Sequence, residues 1–202
     1  SVNIFKNLKV YILGINWEQN STAALFHNYE LVGCVSEERF SRIKNDERYP
    51  LNAINWLLRS NNLKPDNIHK VIFVSTIWSP GYILTRHYTN FTVKDYIYEQ
   101  HNIWKPRLYE KKNVSQLDIF KDRIDYDQYP GRDFWEKVVV SLEGDSAHVS
   151  SKNILDLGQE IRRNVVEMHL GINPKDILFM DHSTSHACYA YYAIPKEQKS
   201  DN

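Results

Sequence analysis

Apolar residues gather in short blocks at the start of the chain, each bounded by polar or turn-forming residues. Residues 10–15, 23–26 and 31–36 are rich in Val, Ile, Leu and Tyr, which predicts three consecutive strands. The link from His27 to Glu30 has the length of a hairpin connection. Pro50 stands at a plausible first helical position, and Ile54, Leu57 and Leu58 recur at helical spacing up to Asn61 and Asn62. A helix is expected there. The unbroken run Val71, Ile72, Phe73, Val74 predicts a parallel strand buried on both faces.

Between Trp78 and about Val140 no single period survives, because turn residues and charges interrupt a dense set of aromatic residues. This stretch reads as an insertion whose aromatic residues form a small satellite core or wall a substrate pocket, the former being preferred. Order returns at Ser150 and Ser151, a capping pair. Ile154, Leu157, Ile161, Val165 and Met168 then recur every three or four residues until Gly171, giving the longest helix. Asn173 and Pro174 make a turn, residues 177–180 a second buried strand, and Asp181 caps a last helix through Tyr192.

Three antiparallel strands followed by helix-linked parallel ones give an α/β domain of ribonuclease-H-like or actin-like order, a mixed sheet with helices on both faces. Residues 1–77 carry its first part, 78–140 the insertion and 141–202 its second part. In actin-like ATPases and sugar kinases two such domains face each other across a nucleotide cleft. One is predicted here, hence half of an active site.

Composition narrows the setting. The chain has 202 residues, 42% of them hydrophobic and 25% charged, as in a soluble folded protein, and no apolar run approaches the roughly 20 residues of a membrane span. Lys plus Arg number 25, as do Asp plus Glu, so no bulk field holds nucleic acid or an anionic membrane, and neither is expected as a partner. Cys34 and Cys188 lie in apolar stretches without a secretory leader, which suggests small hydrophobes in a reducing cytoplasm. A start without Met and a polar end are what a fragment of a longer protein would show.

Three segments could carry chemistry. The first strand lacks the Asp or Glu that a two-metal nuclease needs, and the loop after it, Asn16 to Thr22, is instead rich in amides and hydroxyls. Such a loop suits a phosphate or carbamoyl group, and equally an ordinary polar turn. The charged run from Glu37 to Arg48 leaves the third strand beside that loop, so Lys44 and Arg42 can reach an anion held there. His182 and His186 stand four apart on a predicted helix and can offer two imidazole nitrogens to one metal ion; a capped, solvent-facing pair fits the spacing as well.

These segments resemble, in order, the N-terminal half of the NodU/TobZ-type carbamoyltransferase family. They are Ile12 to Asn16 with Ser21 to Leu25; the string from Ser36 to Asp46 with Tyr49, Pro50, Ala53 and Ile54; and Asp181 to Ala187 with Ala190 and Tyr191. The resemblance implies an actin-like, TsaD-like lobe, followed in such proteins by a second lobe and a YrdC-like domain. It implies that carbamoyl phosphate and ATP give a carbamoyl adenylate, whose carbamoyl group passes to a hydroxyl of a small-molecule or sugar acceptor at a site with a divalent metal (iron, manganese or zinc). By the same resemblance His182 and His186 match the metal-binding histidines, and Lys44 a lysine that contacts the carbamoyl donor, with Asn20 and Arg42 beside it. Two departures stand out. The family has His-Asp where this chain has Gln19 and Asn20, and His where it has Asn45. Glutamine transfers no proton near neutral pH, so a catalytically silent metal- or nucleotide-binding module of the same fold is the alternative.

Overall fold

The computed structural model describes residues 10–28, 30–145 and 151–193. Strands β1 (Tyr11–Asn16), β2 (Thr22–His27) and β3 (Glu30–Ser36) open the domain, then helices α1 (Glu38–Ser41) and α2 (Leu51–Ser60) and strand β4 (Ile68–Phe73). Helices α3 (Pro80–His87) and α4 (Val93–Glu99) follow. A π-helical stretch (Gln100–Trp104) leads into α5 (Lys105–Tyr109), α6 (Gln116–Phe120) and α7 (Arg132–Asp145). Helix α8 (Ser151–Leu170), strand β5 (Ile177–Phe179) and helix α9 (His182–Ala193) complete the order. The five strands form one sheet in the order β3-β2-β1-β4-β5. β1 pairs antiparallel with β2 and β2 with β3, whereas β1 with β4 and β4 with β5 are parallel. This is the mixed α/β sheet of the actin-like class that the element order predicts.

One face of the sheet makes the core. Leu13, Ile15, Ala23, Leu25, Val71, Phe73 and Ile177 alternate along their strands and are all buried. Helix α2 lays Ala53, Ile54, Leu57 and Leu58 against this face, and a fully buried leucine such as Leu57 contributes about 2 kcal/mol. The packing is close at Gly33, where a Cβ would stand 2.8 Å from the Leu57 side chain. On the other face Ile12, Ala24, Phe26 and Ile72 are only half-buried.

Three expectations are corrected by this asymmetry. The strand at 71–74 is buried on one face, since Ile72 and Val74 are half-exposed. In the short edge strand at 177–179, Ile177 is buried while Leu178 is 46% exposed. A run of consecutive apolar residues does not report how many faces are covered. Cys34 is exposed, because β3 is an edge strand and Cys34 pairs with Ala24 on the open face. Cys188 is partly exposed.

The segment 78–140 is largely helical, and most of its buried apolar residues join the main core, while Ile103 and Phe120 are buried outside it. Trp78, Ile83, Leu84, Tyr88, Leu117, Trp135, Val138 and Val139 belong to the same buried cluster as the sheet residues. In α8 the buried face is formed by Gly158, Ile161, Arg162, Val165, Val166 and Leu170, while Met168 is 56% exposed. Arg162 takes a place in the core that apolar spacing cannot reveal. Gly171 ends the helix at φ +65 as expected, and Ser150 of the expected capping pair lies outside the described residues.

Candidate functional site

The pairing directions fix where the site lies. β1, β3, β4 and β5 run the same way and β2 the opposite way, so the ends of β1, β3, β4 and β5 and the start of β2 share one edge of the sheet. At this rim stand the loop with Gln19 and Asn20, the segment with Arg42 and Lys44, the exit of β4, and His182 with His186. All three segments singled out in the sequence thus meet one edge.

The loop after β1 holds itself. Asn16 Nδ2 donates to the carbonyls of Gln19 (3.2 Å) and Asn20 (3.4 Å), and Thr22 Oγ1 donates to the Asn20 carbonyl (2.8 Å). Asn20 adopts φ +60, a backbone that asparagine tolerates. The Gln19 and Asn20 side chains are exposed at the rim. The loop meets the charged segment directly: Ser21 N donates to the Asp46 carbonyl (2.7 Å), and Glu37 N to the Ser21 carbonyl (2.8 Å).

The charged segment is organised by two buried carboxylates. Glu37 accepts from Asn52 N (3.3 Å), Asn52 Nδ2 (2.6 Å) and Ala53 N (2.9 Å), so it satisfies the free amides at the start of α2. Asp46 receives Arg48 Nε (2.9 Å) and Nη2 (2.6 Å) in a two-pronged pair. Burial alone would raise the Asp46 carboxyl, but hydrogen bonds from Arg48 and Ser41 outweigh it and hold the group below its usual range. Glu38 Oε2 accepts from Asn45 N (3.0 Å). Arg42 and Asn45 have φ of +61 and +54, so the segment turns twice and leaves Arg42 and Lys44 exposed.

At the exit of β4, Ser75 Oγ lies within hydrogen-bond reach of two acceptors for its one hydroxyl proton, Glu18 Oε1 (2.5 Å) and the Ile77 carbonyl (2.7 Å). Below it lies Arg162, 1% exposed. Burial pushes its guanidinium down to about 10, so it keeps its charge at neutral pH.

The start of α9 carries the histidines. Asp181 Oδ1 accepts from Thr184 N (2.9 Å), the cap expected from sequence, and hydrogen bonds from Thr184 hold this carboxyl below its usual range. Ser185 Oγ donates to the Val74 carbonyl (3.2 Å), which ties the helix to β4. His182 Nε2 and His186 Nε2 stand 3.0 Å apart. With metal–nitrogen bonds of about 2.1 Å, that separation corresponds to an angle at the metal of about 90°. At that distance the two nitrogens are in hydrogen-bond contact with each other. Among the described residues no group of three or more His, Cys, Asp or Glu side chains converges.

A family model for the carbamoyltransferase N-terminus matches residues 11–201. The chain belongs to this family. It is also 30% identical over 152 residues to an uncharacterized protein, MJ1051, of Methanocaldococcus jannaschii; the match covers 72% of this chain and 26% of that protein. The chain thus spans about a quarter of the length of this curated relative. No helix among the described residues is long and apolar enough to cross a membrane.

Within this carbamoyltransferase lobe, sequence reasoning found the rim but missed three groups that support it. Glu37 belongs to the string that carries the resemblance, whose charged residues are expected mainly to hold the loop, and Glu37 does hold this segment on α2; the burial of Glu37 and Asp46 has no sign in the sequence beyond their apolar neighbours Tyr49 and Pro50. Glu18 and Ser75 are 57 residues apart and nothing local links them. Arg162 was hidden because a charged residue breaks an apolar stripe.

Proposed function

We propose that the chain is the N-terminal part of an enzyme of the NodU/TobZ type. It moves a carbamoyl group from carbamoyl phosphate, through a carbamoyl adenylate made with ATP, to a hydroxyl of a small-molecule or sugar acceptor. The observation that carries this reading is that Lys44 and the His182–His186 pair stand beyond the same ends of the parallel strands in a chain of the carbamoyltransferase family. His182 and His186 would hold a divalent ion, whose chemistry when bound would be Lewis-acid polarisation of a carbonyl or acceptor oxygen. Lys44, exposed on its turn, supplies positive charge for the donor's phosphate, and Asn20 and Arg42 flank it with an amide and a guanidinium. A second lobe and a YrdC-like domain in the longer protein supply the remaining donors and the other wall of the nucleotide site. Such a protein works in the cytoplasm.

Gln19 and Asn45 favour a second reading, a catalytically silent module that keeps the fold and the metal. Gln19 offers hydrogen bonds but no proton transfer near neutral pH. Asn45 occupies a left-handed turn, which asparagine tolerates, and its main-chain N–H donates to Glu38 Oε2.

Carbamoyl phosphate-dependent release of pyrophosphate from ATP in the full-length protein separates the two. The enzyme reading predicts turnover that Lys44→Ala lowers at least tenfold through a raised Michaelis constant for carbamoyl phosphate. No pyrophosphate from the wild-type protein supports the silent module, and wild-type kinetics in Lys44→Ala removes this lysine from the donor site.

A further inference from the structure

We infer that Arg162 is a positioning residue of this rim: from the core it fixes the exit of β4, on which both the Glu18 loop and the His182–His186 helix hang. Its guanidinium donates through Nη1 to the Ser75 carbonyl (2.8 Å), through Nη2 to the Thr76 carbonyl (3.0 Å) and through Nε to the Gly158 carbonyl of its own helix (3.0 Å). The rings of Phe73, Phe179 and Trp78 lie 5.2, 4.6 and 5.7 Å from it. A planar fork held on three carbonyls and enclosed by rings has one orientation.

Among the described residues its three hydrogen bonds all end on main-chain carbonyls, none on a carboxylate. A buried cation is costly even with the Glu18 carboxylate near enough to favour its charge, and an apolar side chain of similar volume would fill the space at less cost. What the cation adds is a grip on two consecutive carbonyls where the chain leaves the sheet. Ser75, whose carbonyl is held, places its hydroxyl on Glu18. Val74, one residue earlier, accepts from Ser185, which sits between His182 and His186. One side chain thereby sets the distance between the β1 loop and the histidine pair. Its chemical purpose rests on the function proposed above, whereas its geometric effect does not.

The test uses Arg162→Lys and Arg162→Met in the full-length protein. Lysine keeps the charge but loses the fork, and methionine keeps volume alone. Calorimetry with Mn²⁺ and Zn²⁺ reads the histidine pair, and amide hydrogen exchange reads residues 17–20, 74–77 and 181–186 against α2. Both variants should bind the metals roughly tenfold more weakly, with faster exchange confined to those three segments. Unchanged exchange at the rim, or loosening that includes α2 equally, would overturn the inference, and so would unchanged metal affinity in both variants. If the wild-type protein takes up neither metal, the metal reading falls by itself, and the exchange pattern still decides the role of Arg162.

Discussion

The two ends of the rim are built differently. On the Lys44 side, buried carboxylates are satisfied from within the chain, and the segment 78–140 clamps the turn. Arg48 Nη1 donates to Gln128 Oε1 (3.2 Å), and His87 Nε2 lies 2.8 Å from Glu47 Oε2. On the histidine side, α9 is held at its start by Asp181 and Ser185, and its later turns expose Tyr189 and Tyr192 by 76% and 73%. The difference teaches that one end of the rim is held from within the chain while the other stands open. The histidine pair is exposed and joins no third His, Cys, Asp or Glu among the described residues.

If that contrast is right, damage on the two sides should be felt in different currencies. The largest effect on stability belongs to Glu37→Gln. An amide in place of the carboxylate faces the Asn52 and Ala53 amides with one acceptor too few, and the cost is about 3 kcal/mol. Urea denaturation reads it directly, and a shift below about 0.5 kcal/mol would mean that the carboxylate is not holding α2.

A somewhat smaller effect follows from acid. His169 is half-buried in α8, its Nδ1 3.0 Å from the Tyr49 hydroxyl and its Nε2 3.0 Å from Asn55 Oδ1. Burial lowers its pKa from 6.5 to about 4. Between those values the unfolded chain binds the proton and the folded one does not, so stability falls as pH drops from about 6.5 towards 4. The loss from this group is about 2 kcal/mol, under a ceiling of about 3 set by the two pKa values. His169→Gln should flatten that part of the stability profile; an identical slope in the variant would assign the acid sensitivity elsewhere.

The smallest effect on stability belongs to the histidine pair. His182→Ala with His186→Ala removes two exposed side chains and should change the unfolding free energy by no more than about 0.5 kcal/mol. A large loss would show that the pair serves the fold.

Legibility in the sequence follows the same division. Period-two blocks, a hairpin-length link and an Asp cap are local signals, and β1 to β3, α2 and α9 form where those signals place them. The aromatic-dense stretch hid its helices because all but α7 are short and the π-helical turn at Gln100–Trp104, with Pro106 two residues after it, shifts the period. Lys44, His182 and His186 were legible as candidates because each sits in a compact string, and the strand order was enough to bring them to one edge. Glu37, Glu18 and Arg162 were not. Each acts through partners 15 to 87 residues away, and a charge in sequence does not show whether water or a carbonyl will meet it.

The most direct test of the central claim is the metal content of the full-length protein, purified as its source makes it, beside the same protein carrying His182→Ala and His186→Ala. The account predicts about one divalent ion per wild-type chain and none in the double variant. Equal metal in both would contradict it and move the metal centre away from α9.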